Sequence, residues 1–499
     1  MVQRKVILLE LNEINWPVVD KLIDQHGPSY LPNFGRLREE GAWATQVAVE
    51  RPPHLDPWIT WVTLHTGVPR EVHGASVLEQ DSVTIRAKRT WDYAHDAGRS
   101  VGVFGSNSAY PPRPVRGFMI PGPFAPGDET FPKSLEPIQA LNRRYTQVHN
   151  KTTAAWGPTK LARTGMALFA LGLRPRTVAA TAAQLAREYF APHMRWKRVG
   201  LQPLLNWDFF ARLYRKNPPD FATWHTNHAA HYMHHYWRAW DDTQFPVAST
   251  TEEKAAYGDA VPYGYRLCDE LIGRFLRLAG PNTVLVVASS MGQQPFVSDY
   301  YVAGKIVVRF ADIDRFLGLL GPEGVREVVP TMIPQWNLRV TDPSRRRQLI
   351  ERIEGITRTI GTRTERAVVV DETDTILTIT PLGLAEKVPG IRYYFNGCPS
   401  ADPAGYPLEE LFATDTPTTK QGMHHPEGIL AFHGAGIKAG LKLSSCSILD
   451  VAPTLLALMD VPVPPVMPGR VLAEAWQGPA EPRTTPLERE RPRPSPVEA

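Results

Sequence analysis

The feature that most constrains this chain is a set of short, continuous apolar runs, each ending in polar residues and separated by helical stretches. Lys5 to Leu11 is the first, closed by Asn12 and Glu13, and similar runs recur at Val101 to Phe104 and Thr283 to Ala288. Strands buried on both faces read as unbroken β-type runs, and their alternation with helices predicts a mostly parallel sheet flanked by helices, an α/β fold. In such sheets ligands collect at the carboxyl ends of the strands. Leu31 to Gly41 reads as one of the covering helices, and Gly428 to Phe432 and Ile448 to Leu458 as a returning strand and helix.

Two stretches depart from that alternation. Residues 143–216 hold 14 Lys or Arg against Glu188 and Asp208. The segment carries +12 where the whole chain carries +4, which leaves −8 elsewhere. Its Ala- and Leu-rich pattern predicts a basic helical insertion on an acidic core. Three roles suit such a surface: a solvated face, a funnel for an anionic substrate, and a peripheral membrane contact through anionic head groups. Arg195, Lys197 and Arg198 are the candidate anion-binding residues. Residues 300–420 turn to an α+β pattern, with strands expected at Arg326 to Met332 and Gln335 to Thr341. A helix is expected at Pro343 to Ile360, and a hairpin or long strand at Ala367 to Ile379. The expected organisation is a first half of the core (1–142), the basic insertion (143–216), a continued core with a His-rich helix (217–299), an α+β cap (300–420), a C-terminal core (421–476) and a floppy tail (477–499).

Composition excludes several classes. Hydrophobic residues at 43% and charged residues at 21% are those of a globular chain, and a net +4 gives no reason to expect a specific nucleic-acid partner. The N-terminal apolar run stops at Glu10 after four residues, too short for a secretion signal, and Met166 to Leu173 is too short to span a bilayer. Three widely spaced cysteines fit a reducing compartment, so the expected location is cytoplasmic.

Four clusters carry the chemistry. The densest runs from Trp224 to Trp237 and includes Asn227, His228, His231, His234 and His235. Helical spacing brings several of these imidazoles onto one face, as a zinc-like ion requires; the plain alternative is a set of core histidines. His424 and His425 stand before the apolar strand that starts near Gly428. Glu10, Asn12 and Glu13 stand at the end of the first strand, with Glu10 and Asn12 on one face. Asp56 and Thr60 sit where turn residues lead into a helix whose N–H groups favour an anion. Apart from these four, Gln293 and Gln294 follow the strand end Ser289-Ser290-Met291-Gly292 and suit a hydrogen-bonding, uncharged or sugar-like ligand.

In this order the segments resemble the alkaline phosphatase superfamily, in particular its type I phosphodiesterase and nucleotide pyrophosphatase branch. The resemblance rests on Leu31-Pro-Asn33 to Gly41-Ala42, Thr66-Gly67 with His73-Gly74, Tyr110-Pro-Pro to Gly117-Phe-Met119, His424 to Gly428, and Asp450-Val-Ala-Pro-Thr454 with Gly469-Arg470. It implies an alkaline-phosphatase-like core and two metals that clamp a phosphoryl or sulfuryl group while a Ser or Thr attacks. Carried over residue by residue, one metal site is depleted. Asn12 stands at its first-strand aspartate, Pro57 at the nucleophile, and Ser290 and Met291 at its Asp-His pair. The other site keeps imidazoles: His424 and, according to register, His231 or His234, with Asn227, His425 or Glu13 as further donors.

The resemblance therefore implies at most one divalent ion, Zn or Mn. The expected function is a hydrolase or transferase acting on a phosphate- or sulfate-bearing substrate, with glycan- and nucleotide-linked substrates both open, and with Asp56 or Thr60 beside the reacting centre. The alternative is a metal-poor pseudoenzyme that binds an anionic glycan, nucleotide-sugar or lipid-linked intermediate. The "LNE", "HHYW" and "HHPEG" patterns are also similar to an offshoot of the superfamily associated with surface-polysaccharide gene clusters, which implies a part in polysaccharide biosynthesis.

Overall fold

The computed structural model describes residues 4–147, 158–297, 306–330 and 335–477, apart from 53, 79, 374–375, 386–387 and 416–419. The expected tail lies outside the described residues, as do the last two residues of the strand expected at Arg326 to Met332. The chain forms two compact units, the first comprising residues 1–231, 262–293 and 424–499, the second residues 232–261 and 294–423.

The first unit is built on nine strands: β1 (Lys5–Leu11), β2 (Ala42–Val47), β3 (Val101–Phe104), β4 (Gly117–Ile120), β5 (Phe221–Thr226), β6 (Thr283–Ala288), β7 (Glu427–Gly434), β8 (Leu441–Lys442) and β9 (Cys446–Ser447). Their order is β8-β2-β7-β6-β1-β5-β3-β4, with β9 also on β2. Only β7 runs against its neighbours β2 and β6; the other pairings are parallel. The expected runs at Lys5, Val101 and Thr283 are strands with the expected bounds, and β1 lies at the sheet's centre between β5 and β6.

The helices used below are α1 (Trp16–His26), α2 (Pro32–Glu39), α3 (Pro57–Thr66), α4 (Pro158–Leu171), α5 (Pro175–Phe190), α6 (Leu201–Lys216), α7 (His228–Trp240), α8 (Ala260–Leu278) and α9 (Val451–Leu458). All ten residues of α3 are buried, and its left-handed C-cap, Gly67, closes the helix.

Several of the motifs quoted above turn out to be joints of this scaffold. Asp269 on α8 accepts hydrogen bonds from the main-chain N–H groups of Asn33 and Phe34 (2.8 and 2.9 Å) and from Asn33 Nδ2 (2.7 Å), which satisfies the open N-terminus of α2. Asp450 accepts from the N–H of Ser447 and of Arg470 (2.9 and 2.8 Å), tying the chain before α9 to the Gly469-Arg470 turn. At Gly428 a Cβ would stand 2.3 Å from the Ser289 carbonyl oxygen, so only glycine lets β7 approach the end of β6.

The second unit is α+β. One antiparallel sheet holds Val325–Pro330, Trp336–Val340, Val368–Thr373 and Ile376–Pro381; another holds Ile356–Ile360, Arg363–Arg366, Arg392–Phe395 and Tyr406–Pro407. They enclose a core that includes Phe316, Leu338, Tyr393 and Phe412. The helix expected over Pro343 to Ile360 ends earlier, at Glu354. Gly355 stops it, and Ile356-Thr-Arg-Thr-Ile360, rich in β-branched residues, continues as a strand.

Candidate functional site

The first unit gathers polar side chains where β1, β5 and β6 end. Asn12 is the hub. Its N–H donates to the Thr226 carbonyl (3.0 Å), and its Nδ2 donates to Glu13 Oε1 (2.9 Å) and Asn227 Oδ1 (2.6 Å). Its Oδ1 accepts from the indole N–H of Trp61 (2.7 Å), a fully buried residue of α3. Beside it, the hydroxyls of Thr60 and Ser290 pair at 2.8 Å, and Ser289 Oγ accepts from the Ile14 N–H and donates to the Met291 carbonyl. Amides, hydroxyls and an indole thus satisfy one another through neutral hydrogen bonds at the positions where the resemblance expects the depleted metal's donors. Thr60 is wholly buried in this network.

Glu13 is the carboxylate of the group. It is fully buried and holds a left-handed backbone (φ 62°), a conformation that costs a non-glycine residue roughly 1–2 kcal/mol. The conformation is sustained by packing and hydrogen bonding around it. Its Oε1 accepts from Asn12 and its Oε2 from Gln293 Nε2 (2.5 Å), and the same nitrogen of Gln293 donates to the Ala230 carbonyl (3.1 Å). Gln293 Oε1 is buried with no hydrogen-bond partner among the described residues.

His424 faces that carboxylate. Its Nδ1 lies 2.7 Å from the Leu55 carbonyl, which can only accept, so Nδ1 carries the proton of the neutral ring and Nε2 is its acceptor. Nε2 stands 3.7 Å from Glu13 Oε2. In the neutral ring this brings two acceptors together at a distance too long for a hydrogen bond. It is close to the ~3.4 Å that separates two ligands sharing one tetrahedral ion at about 2.1 Å bonds. A backbone carbonyl on the far nitrogen is the usual way a metal-binding imidazole is held. The donor chemistry of Glu13 and His424 therefore suits a borderline divalent cation.

Asp56 completes this side. As N-cap of α3 it has extended backbone (φ −128°), but its side chain makes no capping bond, and its Oδ1 lies 3.4 Å from His424 Nδ1. A quarter of its side chain is exposed, unlike Thr60. His425 is half-buried, and its Nδ1 accepts from the Glu427 N–H (3.3 Å), holding the turn into β7.

Glu10 belongs to a separate buried group. Its Oε1 accepts from Ser106 Oγ (2.8 Å), whose hydroxyl also meets Thr223, and its Oε2 lies 3.1 Å from His225 Nδ1. His65 Nε2 approaches Oε1 at 3.2 Å but off the line of a hydrogen bond, and neither ring nitrogen of His65 makes one among the described residues. Burial pushes the Glu10 carboxyl up, but the charge of His65 and the hydrogen bond and charge of His225 outweigh it and bring the pKa down to about 2. Neither His65 nor His225 was singled out in the sequence; the position of His225 at the end of a central strand was the signal that could have found it.

The His-rich segment is helix α7. Its first turn, with His228 and His231, belongs to the first unit and its later turns to the second. His228 is buried against the Gly264 carbonyl and Thr226, and burial holds its pKa down to about 4. His231 is half-buried. Within the second unit, His234 Nδ1 donates to the Gly422 carbonyl (2.9 Å), the same tautomer-fixing contact that His424 makes. In the basic insertion Arg195 is exposed, Arg198 pairs with Glu188, and Lys197 lies over the rings of Trp196 and Tyr263 at 5.1 and 5.5 Å.

Sheet and flanking helices together define a mixed α/β architecture with a central, mostly parallel sheet, consistent with an alkaline-phosphatase-like fold. The model of the type I phosphodiesterase/nucleotide pyrophosphatase family matches residues 19–318, more than half of the chain. The chain belongs to that family and hence to the alkaline phosphatase superfamily. No curated protein matches it. Family membership supports a phosphoester-hydrolase-like function, and the family is usually metal-dependent.

Proposed function

We propose that this protein is a phosphoester hydrolase or transferase that works with one divalent ion, Zn or Mn, on an anionic substrate. Glu13 and His424, both of the first unit, are two of the ligands. The observation that carries the reading is the Glu13–His424 pair, two acceptors 3.7 Å apart, with the far nitrogen of His424 fixed by a main-chain carbonyl.

When bound, such an ion would polarise a phosphoryl oxygen as a Lewis acid. The chain's own residues do the rest. Asn12 and Gln293 orient the Glu13 carboxylate through its two oxygens. Asp56, partly exposed at the N-terminus of α3, accepts the proton of the attacking water, and the helix N-terminus favours the anion. Thr60 and Ser290 lock the first turn of α3, in which the Thr60 N–H donates to the Asp56 carbonyl (2.9 Å). A glycan- or nucleotide-linked phosphodiester is the proposed substrate class. Three free, buried cysteines, Cys268, Cys398 and Cys446, support a reducing, cytoplasmic setting.

The test pairs elemental analysis with turnover of an aryl phosphodiester. Wild type should carry about one Zn or Mn per chain and turn over. Glu13→Gln and His424→Ala should lose both, while Asp56→Asn should keep the ion and lose turnover. A wild type with neither ion nor turnover would refute the enzyme. It would favour the metal-poor binder, for which the self-satisfied Asn12–Asn227–Trp61 network is the supporting observation.

A further inference from the structure

The basic insertion has a second property that its charge count does not reveal. Among the described residues eleven large hydrophobic side chains are exposed, and six of them are scattered valines. The other five all fall between residues 166 and 190: Met166 (68% exposed) and Phe169 on α4, and Leu185, Tyr189 (82%) and Phe190 (83%) on α5. Met166 and Phe169 share a face of α4. On α5, Leu185 and Tyr189 are one turn apart, and the exposed alanines 179, 182, 183 and 186 lead in helical steps to Phe190. Nearly the whole outer surface of α5 is therefore apolar, interrupted by Arg176 and Arg187.

The exposed charge of this segment, among its described residues, is of one sign. The two acids of residues 143–216 are both buried and both paired, Glu188 with Arg198 and Asp208 with Arg174. Exposed Arg163, Arg176, Arg187, Arg195, Arg212, Arg215 and Lys216 remain. Large apolar side chains held out in water, in a segment whose exposed charges are all cationic, are the surface of a helix that lies in a membrane interface.

We infer that α4 and α5 dock the protein onto the surface of an anionic lipid bilayer, with Phe169, Tyr189 and Phe190 entering the head-group boundary and the arginines facing lipid phosphates. A second copy of this chain is the poorer occupant, because pairing the face with itself would set two strongly cationic surfaces together without an exposed acid between them. No described helix is long and apolar enough to cross a membrane, so the contact is peripheral.

The test is flotation of the full chain with vesicles of phosphatidylcholine alone and with roughly 30% phosphatidylglycerol, alongside light scattering of the free protein. Binding is expected only to the anionic vesicles, and should weaken steeply toward about 0.5 M salt. Tyr189→Ser with Phe190→Ser should weaken it at least tenfold, and Arg176→Glu with Arg187→Glu similarly, with circular dichroism unchanged in both. Because these side chains are exposed, folding is not at stake. Absence of vesicle binding would overturn the inference. So would equal binding to both vesicle types, or a dimer that the Tyr189/Phe190 variant dissolves.

Discussion

Restoring an aspartate at position 12 tests the neutral network directly. Asn12 Nδ2 donates to Glu13 Oε1 at 2.9 Å and to Asn227 Oδ1 at 2.6 Å, so Asn12→Asp replaces two donor contacts with acceptor-against-acceptor contacts. Two carboxylates about 2.9 Å apart repel by roughly 6 kcal/mol at an effective dielectric constant near 20. The folded protein escapes the full repulsion by taking up a proton. From a free aspartate pKa of about 3.9, that uptake costs about 4 kcal/mol at pH 7 and about 1.5 kcal/mol at pH 5. A lost hydrogen bond adds about 1 kcal/mol at either pH. The expected destabilisation is therefore about 5 kcal/mol at pH 7 and about 2.5 kcal/mol at pH 5. The sign follows from linkage. Residue 12 in the variant has a folded pKa raised above its unfolded value, so the variant is closest to wild type at low pH and falls behind as pH rises. Calorimetric unfolding with chelator at pH 5, 6 and 7 reads the effect. With an unfolding entropy near 2.1 cal/mol/K per residue, about 5 kcal/mol lowers Tm by about 5 °C for a chain of this length. A loss that does not change with pH, or no loss at all, would show that the amide of Asn12 is not the donor described here.

Three further outcomes follow from other buried groups. His73 Nδ1 accepts from the Ala75 N–H, so its Nε2 donates to Thr63 Oγ1 (2.9 Å), and Thr63 in turn donates to Glu50. Thr63→Val breaks both links and should cost about 2–3 kcal/mol in urea unfolding while leaving ion content unchanged. Burial holds His73 down to about 3 and His228 to about 4, while the His65 and His225 contacts take Glu10 to about 2 against burial. All three are depressed, so their stability is present above the unfolded values of 6.5 and 4.5 and is lost as pH falls. Thermal scans should drop progressively from about pH 6.5 to pH 3, and a flat profile would contradict the assignments. Gly428→Ala places a Cβ 2.3 Å from a main-chain oxygen and should destabilise by more than about 2 kcal/mol, with thermal shift as the readout.

The central sheet was legible because its signal is local. An unbroken run such as Val6 to Leu9 can be satisfied only by burial on both faces, and the polar residues after it mark where the strand leaves the sheet. The site was legible as a set of residue types and not as a set of contacts. Helical spacing offers His228, His231, His234 and His235 alike. The contact that fixes the His234 Nδ1, to a carbonyl 188 residues away, is not visible in that spacing. The contact between His424 and Leu55 spans 369 residues. Counting charges found the basic insertion but could not see that Arg198 is neutralised by Glu188, nor that an Ala-rich helix would leave its apolar side in water.

These contrasts bear on how far family membership carries a chemical conclusion. The matching motifs that the structure explains most fully are joints: Asn33 on Asp269, Asp450 on Ser447 and Arg470, and Gly428 against Ser289. Each satisfies main-chain groups or permits a close approach, and each would be needed whether or not the protein turned over a substrate. The positions that differ, Asn12, Pro57, Ser290 and Met291, are those where the resemblance expects the metal's donors and the nucleophile, and the structure meets two of them, Asn12 and Ser290, with neutral hydrogen bonds. A scaffold can persist while the chemistry on it changes, because strand-end side chains contribute little to the core that holds the sheet together. The Glu13–His424 pair therefore bears the functional question alone. It retains a carboxylate, a tautomer-fixed imidazole and a ligand-like spacing, and elemental analysis of Glu13→Gln against wild type decides whether that pair holds an ion.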